Sequence, residues 1–175
     1  MKRPGLLLLF AFGLLLSAAS LQAQEASYRL GPGDRIDIRV FGEEDLSISV
    51  LIGDSGVLNY PLLGEVQVAG LTVKEVEDQL TARLLGDYLI DPDVTVSVAE
   101  YRPVFINGEV NKPGAYPFQP GLTLQKAIAL AGGFTERAAR GNITLQSAEG
   151  EERKASGLNA IIQPGDVITV EQSFF

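Results

Sequence analysis

Alternation of apolar and polar residues predicts that most of this chain folds into β-strands. In the first half, apolar residues occupy every second position in three segments, RIDIRV (35–40), DLSISVLI (45–52) and DVTVSVAEY (93–101). That period of two is typical of a strand with one buried face. Between them, residues 56–70 alternate over shorter runs that Pro and Gly interrupt. We therefore expect three longer strands and a meander of short ones.

From residue 72 to residue 85, the period becomes that of a helix. The apolar positions that fall on one helical face are Val73, Val76, Leu80 and Leu84. Thr72 followed three residues later by Glu75 forms a capping box, which predicts where the helix begins. Gly86 follows at a position where helices commonly end.

The pattern restarts after Tyr101 with a strand over 103–110, a turn at 111–114 and the short strand AYPF, which together predict a hairpin. A second helix follows Thr123, its predicted N-cap, and ends at Gly132 and Gly133. Its apolar face is formed by Leu124, Ala127, Ile128 and Ala131. The last predicted elements are a strand over 142–148, an acidic turn over 148–153 and a closing strand over 167–171. Each half thus holds strands and one helix. The fold class is α+β, with two small modules that each combine a mixed β-sheet with one main helix.

Pro-Gly-Asp occurs twice, each time just before an alternating strand. The residues concerned are Pro32, Gly33, Asp34, Pro164, Gly165 and Asp166. Pro favours the second position of a turn and Gly supplies the positive φ of the third, so we interpret all six as structural turn residues. Internal duplication is the alternative explanation, and neither explanation makes the aspartates catalytic.

The first 23 residues have the pattern of a signal peptide. Lys2 and Arg3 precede the apolar run Leu6–Leu16, and small residues follow up to Ala23. The run is shorter than the roughly 20 residues that span a bilayer, although an uncleaved anchor helix is the alternative. Because the chain has no Cys, we expect no disulfide and no lipid attached at a cysteine. We therefore expect the mature chain to be exported and released as a soluble protein.

Composition excludes several kinds of chemistry. The chain has 14 Lys and Arg against 22 Asp and Glu, a net charge of −8, and its cations are scattered, so nucleic acid is not expected as a partner. The absence of His and Cys excludes histidine bases, thiol nucleophiles and the usual zinc sites. No metal or other cofactor is expected. Carboxylates remain, and a polysaccharide-cleaving enzyme that uses two of them is the least favoured of three function classes.

Three longer motifs, in order along the chain, suggest a family. LGPGD (30–34), GEVNKPGAY (108–116) and AGG (131–133) lie in segments that resemble the bacterial polysaccharide export proteins. The resemblance implies a polysaccharide-export module over residues 24–101 and a soluble-ligand-binding β-grasp module over 102–175. It implies a non-enzymatic component of capsule or exopolysaccharide export.

The resemblance also implies partners. We expect a ring-shaped homo-oligomer that is associated with the outer membrane and guides polysaccharide from an inner-membrane co-polymerase. Longer members carry a lipidated cysteine and a C-terminal membrane helix. Since this sequence shows neither, we expect it to act as a periplasmic collar beneath a separate outer-membrane channel protein. The alternative is a monomeric periplasmic saccharide-binding module.

Polar and aromatic side chains near strand ends are the candidates for contact with polysaccharide, because aromatic faces and hydrogen-bonding groups suit hydrated sugars. They are Tyr88, Tyr101, Arg102, Glu109, Lys112 and Tyr116. Burial of the tyrosines and an ordinary turn role for Lys112 are the alternative explanations. Gly108, Pro113 and Gly114 match the family motif, and we expect them to shape the hairpin.

Overall fold

The computed structural model describes residues 28–173, which fall into two compact units. Of the described residues, the first unit contains 28–32 and 36–98, whereas the second contains 33–35 and 99–173. Helices and sheets occur in both, which confirms the predicted α+β class. The predicted signal peptide, residues 1–23, lies outside the described residues. No helix among residues 28–173 is long and apolar enough to cross a membrane.

The first unit is built from two small sheets and a helix. Its elements are β1 (Arg35–Val40), a 3-10 helical turn (Glu44–Leu46), β2 (Ile48–Leu51), β3 (Val57–Tyr60), β4 (Gly64–Gln67), α1 (Val73–Leu84) and β5 (Val94–Glu100). One sheet has the order β2-β1-β5, and β3 pairs with β4 as an antiparallel hairpin.

The core of the first unit follows the predicted periodicities. Alternate residues of β1 are buried, and Val76, Leu80 and Leu84 of α1 have no exposed surface. The predicted capping box is present, with the Glu75 amide donating to Thr72 Oγ1 and the Thr72 amide donating to the Glu75 carboxylate. Sequence periodicity therefore identified both the helix and the side that it buries.

The strand predicted over 45–52 is wrong in its first part. Residues 44–46 form the 3-10 turn instead, and the strand begins only at Ile48. Ser47 explains the break, because its hydroxyl accepts a hydrogen bond from the Val40 amide. This local side-chain contact competes with strand pairing, as serine often does.

The second unit contains a five-stranded sheet and one helix. Its elements are β6 (Val104–Gly108), β7 (Gly114–Tyr116), α2 (Leu124–Leu130), β8 (Ala138–Gln146), β9 (Glu152–Lys154) and β10 (Val167–Gln172). The strand order is β7-β6-β10-β8-β9, in which β6 and β10 pair in parallel at the centre and the other pairs are antiparallel. A mixed sheet with the helix between its second and third strands is the arrangement expected of a β-grasp module.

The predicted apolar face of α2 is buried against this sheet. Leu124, Ala127, Ile128 and Ala131 are all in the core, and Thr123 accepts the capping hydrogen bond from Lys126. Several boundaries differ from prediction. β6 ends at Gly108 and not at 110, and β7 ends at Tyr116 and not at 118. β8 begins at Ala138 and not at 142, and the segment predicted as an acidic turn enters strand β9 at Glu152. The exposed sequence Glu-Arg-Lys has no apolar alternation, so pairing with β8 alone makes it a strand.

Candidate functional site

The second unit carries an open groove of about 500 Å³ beside its edge strand β7. The chain that leaves β5 forms one wall, and β7 with the segment after it forms the other. The groove is lined by Ala99, Glu100, Tyr101, Pro103, Ala115, Tyr116, Pro117, Phe118 and Pro120. Most of these side chains are apolar, and five of the nine residues are prolines or alanines.

Two tyrosines in the groove are held by neighbouring groups. The Tyr101 ring meets the Phe118 ring edge to face, with 5.3 Å between centroids and 70° between planes. Because Phe118 is almost fully buried, it fixes the position of Tyr101. The Tyr116 hydroxyl donates to the Lys112 carbonyl across the hairpin turn. Both rings are therefore oriented before any ligand arrives.

The groove has little charge. Glu100 is the charged residue among those that line it, and its carboxylate lies 3.6 Å from the Arg35 guanidinium. No second carboxylate lines the groove to make the acid and base pair of a glycosidase. Flat apolar faces with a few hydroxyl groups suit stacking and hydrogen bonding with a polar ring better than bond cleavage.

Of the six residues predicted to contact polysaccharide, Tyr101 and Tyr116 lie together in this groove. Arg102 is not among the residues that line the groove, and its contact with sugar stays a prediction. Its amide donates to the Asp34 carboxylate at 2.8 Å, and its Nε donates to the Pro164 carbonyl at 3.2 Å. Arg102 thus contacts both Pro-Gly-Asp segments.

The other three predicted contact residues lie outside the groove. Glu109 accepts a hydrogen bond from the Thr135 hydroxyl and lies 3.7 Å from the Arg137 guanidinium. The Lys112 amide donates to the Ala131 carbonyl. Tyr88 belongs to the first unit, where its hydroxyl donates to the Leu62 carbonyl. Contact of any of these side chains with sugar stays a prediction.

Sequence reasoning did not select the remaining apolar wall of the groove, which is formed by Pro103, Pro117, Phe118 and Pro120. A signal was present in YPFQP (116–120), where aromatic and proline residues alternate beyond the predicted hairpin. We interpreted residues 116–118 only as part of the strand AYPF, although Phe118 is buried and Pro117 and Pro120 are exposed.

Among residues 28–173, the ionisable groups that lie away from the groove do not form a second candidate site. Burial raises the pKa of Asp166, although the Gln163 amide and the Arg153 guanidinium favour its charged form. Asp166 lies beside the Pro164 turn and is absent from the groove lining. Among residues 28–173, no group of three or more acidic side chains is arranged to hold a metal ion.

Two family models match consecutive parts of the chain. Residues 22–99 match the model described as polysaccharide biosynthesis/export protein, and residues 103–155 match the SLBB domain. Most of the groove lies in the second match, whereas Glu100 and Tyr101 fall between the two.

The names of the curated relatives describe production, export or transport of polysaccharides. The chain is 35% identical over 133 residues to the exopolysaccharide production protein ExoF of Rhizobium meliloti, which covers 69% of this chain and 31% of the relative. It is 29% identical over 188 residues to the EPS I polysaccharide export outer membrane protein EpsA of Ralstonia nicotianae, covering 87% of this chain and 49% of that protein. The polysialic acid transport protein KpsD of Escherichia coli is 28% identical over 61% of this chain and 19% of its own length. The chain therefore spans less than half the length of these relatives.

Proposed function

The chain belongs to the bacterial polysaccharide export family, and on that premise we propose that it is a periplasmic component of capsule or exopolysaccharide export. It forms a ring or collar associated with the outer membrane. The collar guides polymer from an inner-membrane co-polymerase to a separate outer-membrane channel. The groove of the second unit touches the moving polymer.

The observation that carries this proposal is the pair of family matches in consecutive order, with the groove beside β7 inside the second unit. A conduit for a hydrated polymer needs weak contacts that form and break repeatedly. An open groove with two oriented tyrosines offers such contacts, because each stacked ring contributes only about 0.5–1.5 kcal/mol beyond the area that it buries.

Exposed sheet edges support self-association. β7 and β9 are the outer strands of the five-stranded sheet, so each presents unpaired backbone groups on one side. Two different edges that meet in neighbouring copies form a head-to-tail contact, which closes into a ring when the rotation fits. The experiment is native mass spectrometry of the processed chain at micromolar concentration. A cyclic oligomer is expected, and a monomer at every concentration would favour the single saccharide-binding module.

The cellular test uses a strain whose own copy of the gene is deleted and replaced by variants. Tyr116→Ala should lower surface polymer at an unchanged level of the protein, because it removes one ring from the groove. Tyr116→Phe keeps the ring and should restore most polymer. Phe41→Ala, which removes an exposed aromatic ring of the first unit, is the matched control and should leave polymer unchanged. Normal surface polymer in the deletion strain itself would overturn the proposed function.

A further inference from the structure

We propose that the groove beside β7 selects uncharged sugar rings and discriminates against acidic ones. The inference rests on the proposed contact between this groove and the exported polymer. It adds a chemical class of ligand, neutral pyranose units, to that function.

The lining provides the attractive part of the recognition. Tyr101 and Tyr116 present aromatic surface, and Pro103, Pro117 and Pro120 extend it with rigid apolar rings. The C–H face of a neutral pyranose is apolar and flat, so it can cover such a surface while its hydroxyl groups remain hydrated. Phe118 behind Tyr101 and the Lys112 carbonyl beyond Tyr116 hold these faces in place. Little ordering of side chains is then needed when a sugar binds.

The charges provide the discriminating part. Proteins usually recognise carboxylates with Arg or Lys, often through paired hydrogen bonds. No Arg or Lys lines this groove, and the charged group that does is the exposed carboxylate of Glu100. The Arg35 guanidinium is directed at Glu100, with 3.6 Å between Nε and Oε2. Arg35 is therefore already paired, and the charged group that an acidic sugar would meet in the lining is the Glu100 carboxylate.

The size of this effect follows from Coulomb's law in water. Two like charges about 6 Å apart at the dielectric constant of water disfavour binding by at most about threefold at low ionic strength. The Arg35 guanidinium, paired with Glu100, offsets part of this repulsion. The factor falls toward one as salt is added, because exposed charges are screened within about 10 Å at 0.1 M. Selectivity against acidic polymers is thus modest per sugar and accumulates over several contacts.

Changing Glu100 should reverse the discrimination. Glu100→Gln removes the repelling charge and frees Arg35 to pair with a ligand carboxylate. The matched control is Glu152→Gln, which changes the net charge equally at the far edge of the same sheet. Four strand spacings of about 4.8 Å separate β9 from β7, so the control should not alter the groove.

The experiment titrates the full chain with isomaltohexaose, a neutral hexamer, and with hexagalacturonate, an acidic one, in 20 mM salt. Amide NMR signals of Tyr101, Ala115 and Tyr116 report occupancy. We expect the neutral hexamer to bind more tightly to the original chain, by up to about threefold. Glu100→Gln should raise affinity for hexagalacturonate at least threefold and leave isomaltohexaose unchanged. The difference should vanish in 0.5 M salt.

The proposed selectivity would be overturned if both hexamers bound with equal affinity and Glu100→Gln changed neither affinity. A failure of isomaltohexaose to shift the three groove amides would overturn it as well. In both cases the proposed role in export is judged separately, by the surface polymer of the deletion strain. If Glu152→Gln raised the affinity for hexagalacturonate as much as Glu100→Gln does, the net charge of the chain, and not the groove, would set the preference.

Discussion

The backbone N–H of Arg102 donates a 2.8 Å hydrogen bond to Oδ1 of Asp34, a carboxylate with no exposed surface. The guanidinium of the same Arg102 donates to the Pro164 carbonyl. Asp34 and Pro164, one from each Pro-Gly-Asp segment, therefore bind the same arginine within the second unit. Both glycines have positive φ and pass close to Arg102: a side-chain carbon added at Gly33 would lie 3.1 Å from its Cβ, and one added at Gly165 would lie 3.1 Å from its Nε.

Asp34 should therefore matter for stability. Asp34→Ala leaves the Arg102 amide without this acceptor in a partly buried position, and we expect the free energy of unfolding to fall by about 1–3 kcal/mol. Urea unfolding followed by circular dichroism measures the change. Asp34→Asn keeps an oxygen at Oδ1 and is the matched control. Equal losses from both variants would show that the charge, and not the hydrogen bond, is responsible.

Local sequence signals predicted the elements that depend on neighbours in the chain. Alternation identified β1 and β5, and Thr72 with Glu75 identified the start of α1, because strand faces and helix caps are set by residues only two to four positions apart. The buried face of α2 followed from the same kind of period. Fold class was therefore accessible without coordinates.

Long-range partners were not accessible in the same way. The sequence did not predict the partners of Arg102: its amide binds Asp34, 68 positions earlier, and its guanidinium binds Pro164, 62 positions later. β9 was missed because its three exposed residues become a strand only by pairing with β8. The groove was found in part, since Tyr101 was selected for its chemistry, whereas the position of Phe118 behind it depends on how the chain folds after β7.

The hairpin glycines Gly108 and Gly114 should differ sharply in tolerance to alanine. At Gly108, φ is 81° and an added side-chain carbon would lie 2.1 Å from the Val170 carbonyl oxygen, which is part of the sheet backbone. The left-handed conformation alone costs about 1–2 kcal/mol, and overpacking adds about 1–3 kcal/mol. We expect Gly108→Ala to destabilise the second unit by several kcal/mol, measured by thermal unfolding.

Gly114 is the matched control on the partner strand β7. An added carbon there meets no atom within 4 Å, so Gly114→Ala should change stability little. A mild effect at both positions would contradict the close approach of Gly108 to β10.

The two helix caps should also contribute unequally. Thr72→Ala removes the side-chain acceptor of the Glu75 amide, for which a loss of about 1 kcal/mol is expected. Thr123→Ala should cost less, because its capping bond is longer at 3.4 Å. In addition, the first amides of α2 already donate to the Ala160 and Leu158 carbonyls. Chemical unfolding of both variants compares them, and a larger loss from Thr123→Ala would contradict this assignment.

Asp166 should give the stability of the second unit a distinct pH dependence. Burial raises its pKa above the ordinary 3.8, so the folded chain holds a proton that the unfolded chain has already lost. Its contribution to stability is fully present below pH 3.8 and declines as pH rises through the folded pKa. Asp166→Asn removes this titration and keeps an oxygen that can accept from the Gln163 amide. We therefore expect the unfolding free energy of the original chain, relative to that of Asp166→Asn, to decrease from pH 3.5 upward. Urea unfolding at steps of half a pH unit measures the difference. A relative stability that instead increases with pH would mean that the Arg153 guanidinium, 3.6 Å away, outweighs burial and lowers the pKa.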